Sequence, residues 1–200
     1  MTRQTVLGQA VIGSDTLGRK AAMVLGGSLF IAVAAQISVP MIPVPMTLQT
    51  LAILIVGLTF GSRLGAATLL AYLAEGAAGL PVFANGMSTA ALVGPTAGFL
   101  VGFVLMAWLA GLAAERGLAR GVIGTALVGI VASAVLYIPG VAWPMAVAGA
   151  LGFEGSWVGS SADAIWTYWV SPFLLGDALK AVIAALVVTG GWAALKSRRG

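Results

Sequence analysis

Pro172-Phe173-Leu174-Leu175-Gly176-Asp177-Ala178-Leu179-Lys180 runs without interruption into Ala181-Val182-Ile183-Ala184-Ala185-Leu186-Val187-Val188. Proline is tolerated in the first turn of a helix, where its missing N–H would have no partner anyway. The stretch therefore predicts a hydrophobic helix from Pro172 to about Leu195, long enough to cross a hydrocarbon core of ~30 Å. An acid and a base stand inside it, one turn apart and on one face. Counted from Pro172, Asp177 and Lys180 lie about 7 Å and 12 Å below the mouth of the helix. Ionisable groups at that depth cost about 2.5–3.5 kcal/mol each even on the lenient insertion scale, so they face a cavity or a partner.

The rest of the composition agrees that lipid is the solvent. The chain is 60% apolar and 8% charged, against roughly 25% charged in a soluble domain. Its 28 glycines suit close helix packing in a bilayer. Histidine and cysteine are absent, which removes His- and Cys-based metal sites, thiol nucleophiles, disulfides and imidazole catalysis. A Ser–His or zinc protease in the membrane is excluded with them, and an aspartyl protease would need a second buried Asp in another span. There is no Gly-x-x-x-x-Gly-Lys-Ser/Thr loop, so ATP is not bound by that route. No metal, no cofactor and no enzyme activity are expected. The net charge of +4 reads as a topology signal rather than a nucleic-acid surface.

Six apolar spans are predicted, at about 21–39, 47–61, 64–80, 97–114, 121–138 and 172–195, making an all-α integral membrane protein. Residues 1–20 form a polar cytoplasmic tail and 196–200 a basic one. The run after Lys20 is too long for a cleaved signal peptide and has no small-residue cleavage site. Loop charges test the count. Arg3, Arg19 and Lys20, then Arg63, then Arg116 and Arg120, then Lys196, Arg198 and Arg199 all fall on one side. The opposite segments, 40–46, 81–96 and 149–171, contain no Lys or Arg. The positive-inside rule then puts both termini in the cytoplasm of a multi-pass protein. The outer segments are richer in Pro and Gly, and Pro40-Met41-Ile42-Pro43-Val44-Pro45 suits a stiff apolar lid. Trp157, Trp166, Tyr168 and Trp169 read mainly as a headgroup-level aromatic belt.

Asp177 and Lys180 are the leading site residues. Lys180 would hold an anionic group and Asp177 would accept N–H donors, so the pocket wants an anionic small molecule with an amide- or urea-like end. The plainer alternative is an ion pair satisfied by itself. Asn85 precedes Gly86 and is either a turn residue or a two-sided hydrogen-bonding contact. Glu75, one turn from Tyr72, has three open readings: a counter-ion for Lys180, a proton-coupling acid, or a carboxyl protonated by burial. Ala22-x-x-x-Gly26 and Ser28-x-x-x-Ala32 permit docking of the first helix to a partner.

Four motifs occur in series: Pro43-Val44-Pro45-Met46-Thr47-Leu48-Gln49-Thr50, Gly79-Leu80-Pro81-Val82-Phe83-Ala84, Gly94-Pro95-Thr96-Ala97-Gly98-Phe99, and Pro172-Phe173-x-x-Gly176-Asp177-x-x-Lys180. Together they resemble the BioY family, the biotin-binding S components of energy-coupling-factor (ECF) transporters, over about Ala32 to Lys180. The resemblance implies a six-helix S-component fold in the bacterial cytoplasmic membrane, with a vitamin pocket near the outer face under the loop after the first helix. It implies that Asp177 and Asn85 contact the ureido ring of biotin and that Lys180 shares the pocket. The apolar part of biotin would lie against Phe83, Val82 and Tyr137, and Gln49 stands in the first motif. The implied partners are biotin, membrane lipid, a transmembrane coupling subunit and two ATPase subunits, or further copies of the chain if it acts alone. Glu75 matches no family motif. Rival readings are an S component for another vitamin, a proton-coupled carrier using Glu75 and Asp177, and a structural subunit with Asp177–Lys180 as an assembly pair.

Overall fold

The computed structural model describes residues 6–7 and 16–197. Most of the expected N-terminal tail, with Arg3, and the end of the basic tail, with Arg198 and Arg199, lie outside the described residues. Among the described residues, five helices are long and apolar enough to cross a membrane. They are α1 (Leu17–Gln36), α2 (Gln49–Ala77), α3 (Ala97–Glu115), α4 (Gly121–Ala142) and α5 (Leu174–Ser197).

The second and third expected spans are joined in α2 without an intervening loop. Gly61 breaks the helix at φ 83°, ψ 176°, a conformation open essentially to glycine alone. The chain doubles back there. Gln49 Nε2 donates to the Tyr72 hydroxyl at 2.6 Å, and a Cβ on Gly65 would stand 3.3 Å from the Gly57 Cα. A straight helix would hold Gln49 and Tyr72 ~34 Å apart. Residues 49–60 and 62–77 are therefore two antiparallel arms. Glu115, at the end of α3, is buried and accepts from the Ser62 N–H at 2.8 Å and from the Ser62 hydroxyl. A carboxylate over the first N–H groups of the second arm complements the helix dipole there.

α3 packs on α2, α4 on α3, and α5 on both α4 and α2, closing a ring of rods, with α1 laid against α2. α5 shows how the sequence sets this arrangement. Asp177, Lys180, Ala181, Ala184 and Val188 are buried on one face, while Leu175, Leu179, Leu186 and Val187 are exposed on the other. On α3, Val101, Leu105 and Trp108 form a comparable exposed stripe. Apolar surface on this scale is a liability in water and the requirement in lipid. Close approach depends on small residues: a Cβ on Gly129 of α4 would meet the Ala181 Cβ of α5 at 2.9 Å.

Several boundaries move for identifiable reasons. α1 ends at Gln36 rather than Val39: Ile37 is already extended and its carbonyl accepts from the Leu48 N–H at 3.0 Å, and Val39, before Pro40, is disfavoured in a helix. Ser38–Val39 (β1) pairs antiparallel with Met46–Thr47 (β2), so the proline-rich lid is the tip of a short ribbon. The fifth span does not stop at Pro139. α4 runs through it to Ala142, and a π-helical turn at Trp143–Val147 carries the chain on to Ala148–Ala150. The wider turn contains Pro144, which cannot donate the helical hydrogen bond. The last helix begins at Leu174, after a π-helical turn at Trp166–Val170.

Candidate ligand-binding site

The end of the ring opposite the Gly61 turn encloses a cavity of about 290 Å³, close to the lower bound of roughly 300–1,000 Å³ for small-molecule pockets. Its roof is the ribbon tip, Met41 and Pro43–Met46, and its walls carry Phe83, Phe99, Leu136, Trp169 and Phe173. Ile42 points away and is 90% exposed. Phe99 ties two walls together, meeting Tyr137 edge-on at 5.9 Å and stacking on Trp169 at 6.3 Å.

One polar wall interrupts this apolar shell. Trp169, Phe173, Asp177 and Lys180 all line the cavity at spacings of four, four and three, one face of a helical path. Asp177 and Lys180 are both buried, with Lys180 Nζ 3.4 Å from Asp177 Oδ1. Lys180 also donates to Thr50 Oγ1 at 3.1 Å, and Thr50 donates onward to Asp177 Oδ1 at 3.5 Å. The Tyr137 hydroxyl donates to Asp177 Oδ2 at 2.6 Å. Oδ1 is thus held by two donors and Oδ2 by Tyr137 alone, which leaves Oδ2 a site to accept from a ligand, and Lys180 keeps a third N–H. A buried ion pair is tolerable only when further hydrogen bonds complete it; Thr50 and Tyr137 do so here. This wall can bind an anion and a hydrogen-bond donor together.

A second polar group lines the cavity at the start of α2. Gln49, buried and lining the cavity, donates to Tyr72, whose hydroxyl donates to the Val82 carbonyl at 2.8 Å. Asn85 lies at the exposed rim at φ 58°, a conformation asparagine accepts more readily than most residues. Its Oδ1 accepts from the Ser38 hydroxyl at 3.0 Å.

The BioY family model matches residues 7–197. This chain belongs to the BioY family. A protein from Rhizobium etli named biotin transporter BioY is 38% identical over 161 residues, covering 76% of this chain and 79% of that one. A probable biotin transporter BioY from Pyrococcus horikoshii is 36% identical over 164 residues, covering 80% and 90%. Among solved structures, the S-component for biotin from an ECF-type ABC transporter superposes with a TM-score of 0.70, at 20% identity, over 94% of this chain and 96% of that one. The fold of this multi-pass membrane chain is that of an ECF S-component.

Within this BioY chain, Asp177, Lys180, Asn85, Phe83, Tyr137 and Gln49 all line one cavity. Val82 does not contribute its side chain to the lining; its carbonyl anchors Tyr72 instead. Glu75 is elsewhere, accepting from the Ser28 hydroxyl of α1 at 2.7 Å, and the acid beside Lys180 is Asp177. Trp169 leaves the expected aromatic belt: it is 2% exposed and faces the cavity, whereas Trp166 and Tyr168 are exposed. Trp157 stacks on Trp143 at 6.3 Å. Thr50 is a contributor that sequence reasoning passed over, although it closes the first motif. The repeat Trp169, Phe173, Asp177, Lys180 was the available signal for Trp169.

Proposed function

We propose that this BioY chain is the membrane-embedded biotin-binding subunit of an uptake system in the bacterial inner membrane, and that it is a binding subunit rather than an enzyme. The observation that carries the reading is the buried Asp177–Lys180 pair forming one polar wall of an otherwise apolar cavity. Biotin has a matching division of chemistry: a neutral ureido group with two N–H donors and a carbonyl, an apolar thioether ring and chain, and one carboxylate. Asp177 accepts from a ureido N–H, Asn85 meets the same ring, and Lys180 balances charge in the pocket. Phe83, Tyr137 and the roof residues take up the apolar part, with Gln49 in the same lining. Arg63, Arg116, Arg120 and Lys196 lie toward the end away from the cavity, which supports cytoplasmic termini and a pocket open to the outside. Both arms of α2 would then cross the membrane, for six crossings in all. With no nucleotide-binding loop in the sequence, ATP-driven transport requires a transmembrane coupling subunit and two ATPase subunits; action without them requires assembly of several copies.

Native mass spectrometry of the purified protein tests this: one biotin per chain is expected, exchanged for added isotope-labelled biotin but not displaced by thiamin, whose positive charge is repelled by Lys180. A chain that carries no biotin and takes none up from solution contradicts the proposal. Tyr137→Phe is expected to weaken biotin binding by about tenfold, the effect of one hydrogen bond to a charged group, and to lower the melting temperature by only a few degrees. Titration calorimetry in detergent checks it.

A further inference from the structure

The loop that carries Asn85 is held by side chains from a different part of the chain. Gln36, the last residue of α1, donates from Nε2 to the Phe83 carbonyl at 3.0 Å and accepts at Oε1 from the Gly86 N–H at 3.0 Å. The same Nε2 donates to the Ala32 carbonyl at 3.1 Å, which fixes the side chain on its own helix. Phe83 and Gly86 bracket Asn85, so one amide grips the loop on both sides of it. The loop closes on itself through the Phe83 N–H to the Met87 carbonyl at 2.9 Å and the Met87 N–H to the Ala84 carbonyl at 3.2 Å. Two residues beyond Gln36, Ser38 donates to Asn85 Oδ1. Ser38 pairs with Thr47 in the ribbon, two residues before Gln49 and three before Thr50.

We propose that Gln36 and Ser38 are positioning residues that fix Asn85 at the cavity rim with its amide N–H edge free for the ligand, and so help set selectivity for a polar head bearing a carbonyl acceptor. This rests on the biotin reading above. Ser38 engages the Asn85 oxygen, so the amide N–H₂ is the edge Asn85 presents as a donor, while Asp177 across the cavity serves only as an acceptor. The two together read a donor and an acceptor on one ligand head. Gln36 touches no ligand; it holds the turn in which Asn85 keeps its positive φ.

A double-mutant cycle on the full-length protein tests the assignment, using biotin affinity and dissociation rate as readouts. Asn85→Ala is expected to weaken binding about tenfold, Gln36→Ala about fivefold and Ser38→Ala about threefold, mostly through faster dissociation. In the Asn85→Ala background, adding Gln36→Ala or Ser38→Ala is expected to cost less than about twofold more, since residues that act through one another do not add. Penalties that multiply, or single variants that bind within about twofold of the parent, overturn the inference. An Asn85→Ala variant that binds as the parent does also overturns it, while parent binding leaves the biotin reading standing. Should Gln36→Ala fail to fold, the milder Ser38→Ala arm decides.

Discussion

Replacing Asp177 with alanine is expected to weaken biotin binding by more than a hundredfold. The carboxylate accepts from Tyr137, Thr50 and Lys180 in a buried wall of the cavity. Its removal strands those donors and leaves the Lys180 ammonium buried without a counter-charge, a change that costs about 3–5 kcal/mol when one partner of a buried pair is removed. The ligand also loses a charged acceptor, worth about 1.5–3 kcal/mol. Asp177→Asn keeps the volume but turns an N–H₂ toward groups that are themselves donors, so it is expected to bind nearly as poorly. Filter binding with labelled biotin, beside a melting curve in detergent, separates a lost site from a lost fold. Binding within threefold of the parent would remove Asp177 from the site.

The second large effect is structural. Gly61→Ala is expected to lower the melting temperature by about 8 °C, corresponding to a loss of about 3 kcal/mol from forcing a side chain into a conformation reserved for glycine. A Cβ there would stand 2.6 Å from Glu115 Oε1, in the contact that caps the second arm. Gly111→Ala probes the same turn from α3, because its Cβ would meet the Gly61 carbonyl carbon at 2.3 Å. Differential scanning fluorimetry in detergent checks both. An unchanged melting temperature for Gly61→Ala would mean that the reversal at residue 61 does not hold the two arms as described.

Much of this was open to reading in the sequence because lipid imposes simple rules. A bilayer demands long apolar helices, and loop charges sort by side, so the helical content and the arms of α2 were visible in hydropathy and in Arg63. What hydropathy could not show is that one glycine suffices to reverse the chain between Phe60 and Ser62. The prolines misled for a related reason: Pro139 sits inside α4 without ending it, and Pro144 falls in a π-helical turn that keeps the chain helical. Asp177 and Lys180 stood out because charge is rare and expensive in hydrocarbon. Trp169 did not, since an aromatic ring near a membrane surface has two equally ordinary uses. Thr50, Gln36 and Ser38 were harder still. Their roles come from contacts to residues far along the chain, and nothing local distinguishes a hydroxyl that orders a carboxylate from one that bonds its own helix.

The central claim is that the buried pair on α5 survives at this depth because a biotin molecule shares its cavity. An experimental structure determined with biotin at saturating concentration tests it most directly. The account predicts the ureido ring within hydrogen-bonding distance of Asp177 and Asn85, with the apolar body under Val44 and against Phe83 and Trp169. Biotin bound elsewhere on the protein, or Asp177 and Lys180 closed on each other with no ligand beside them, would contradict it.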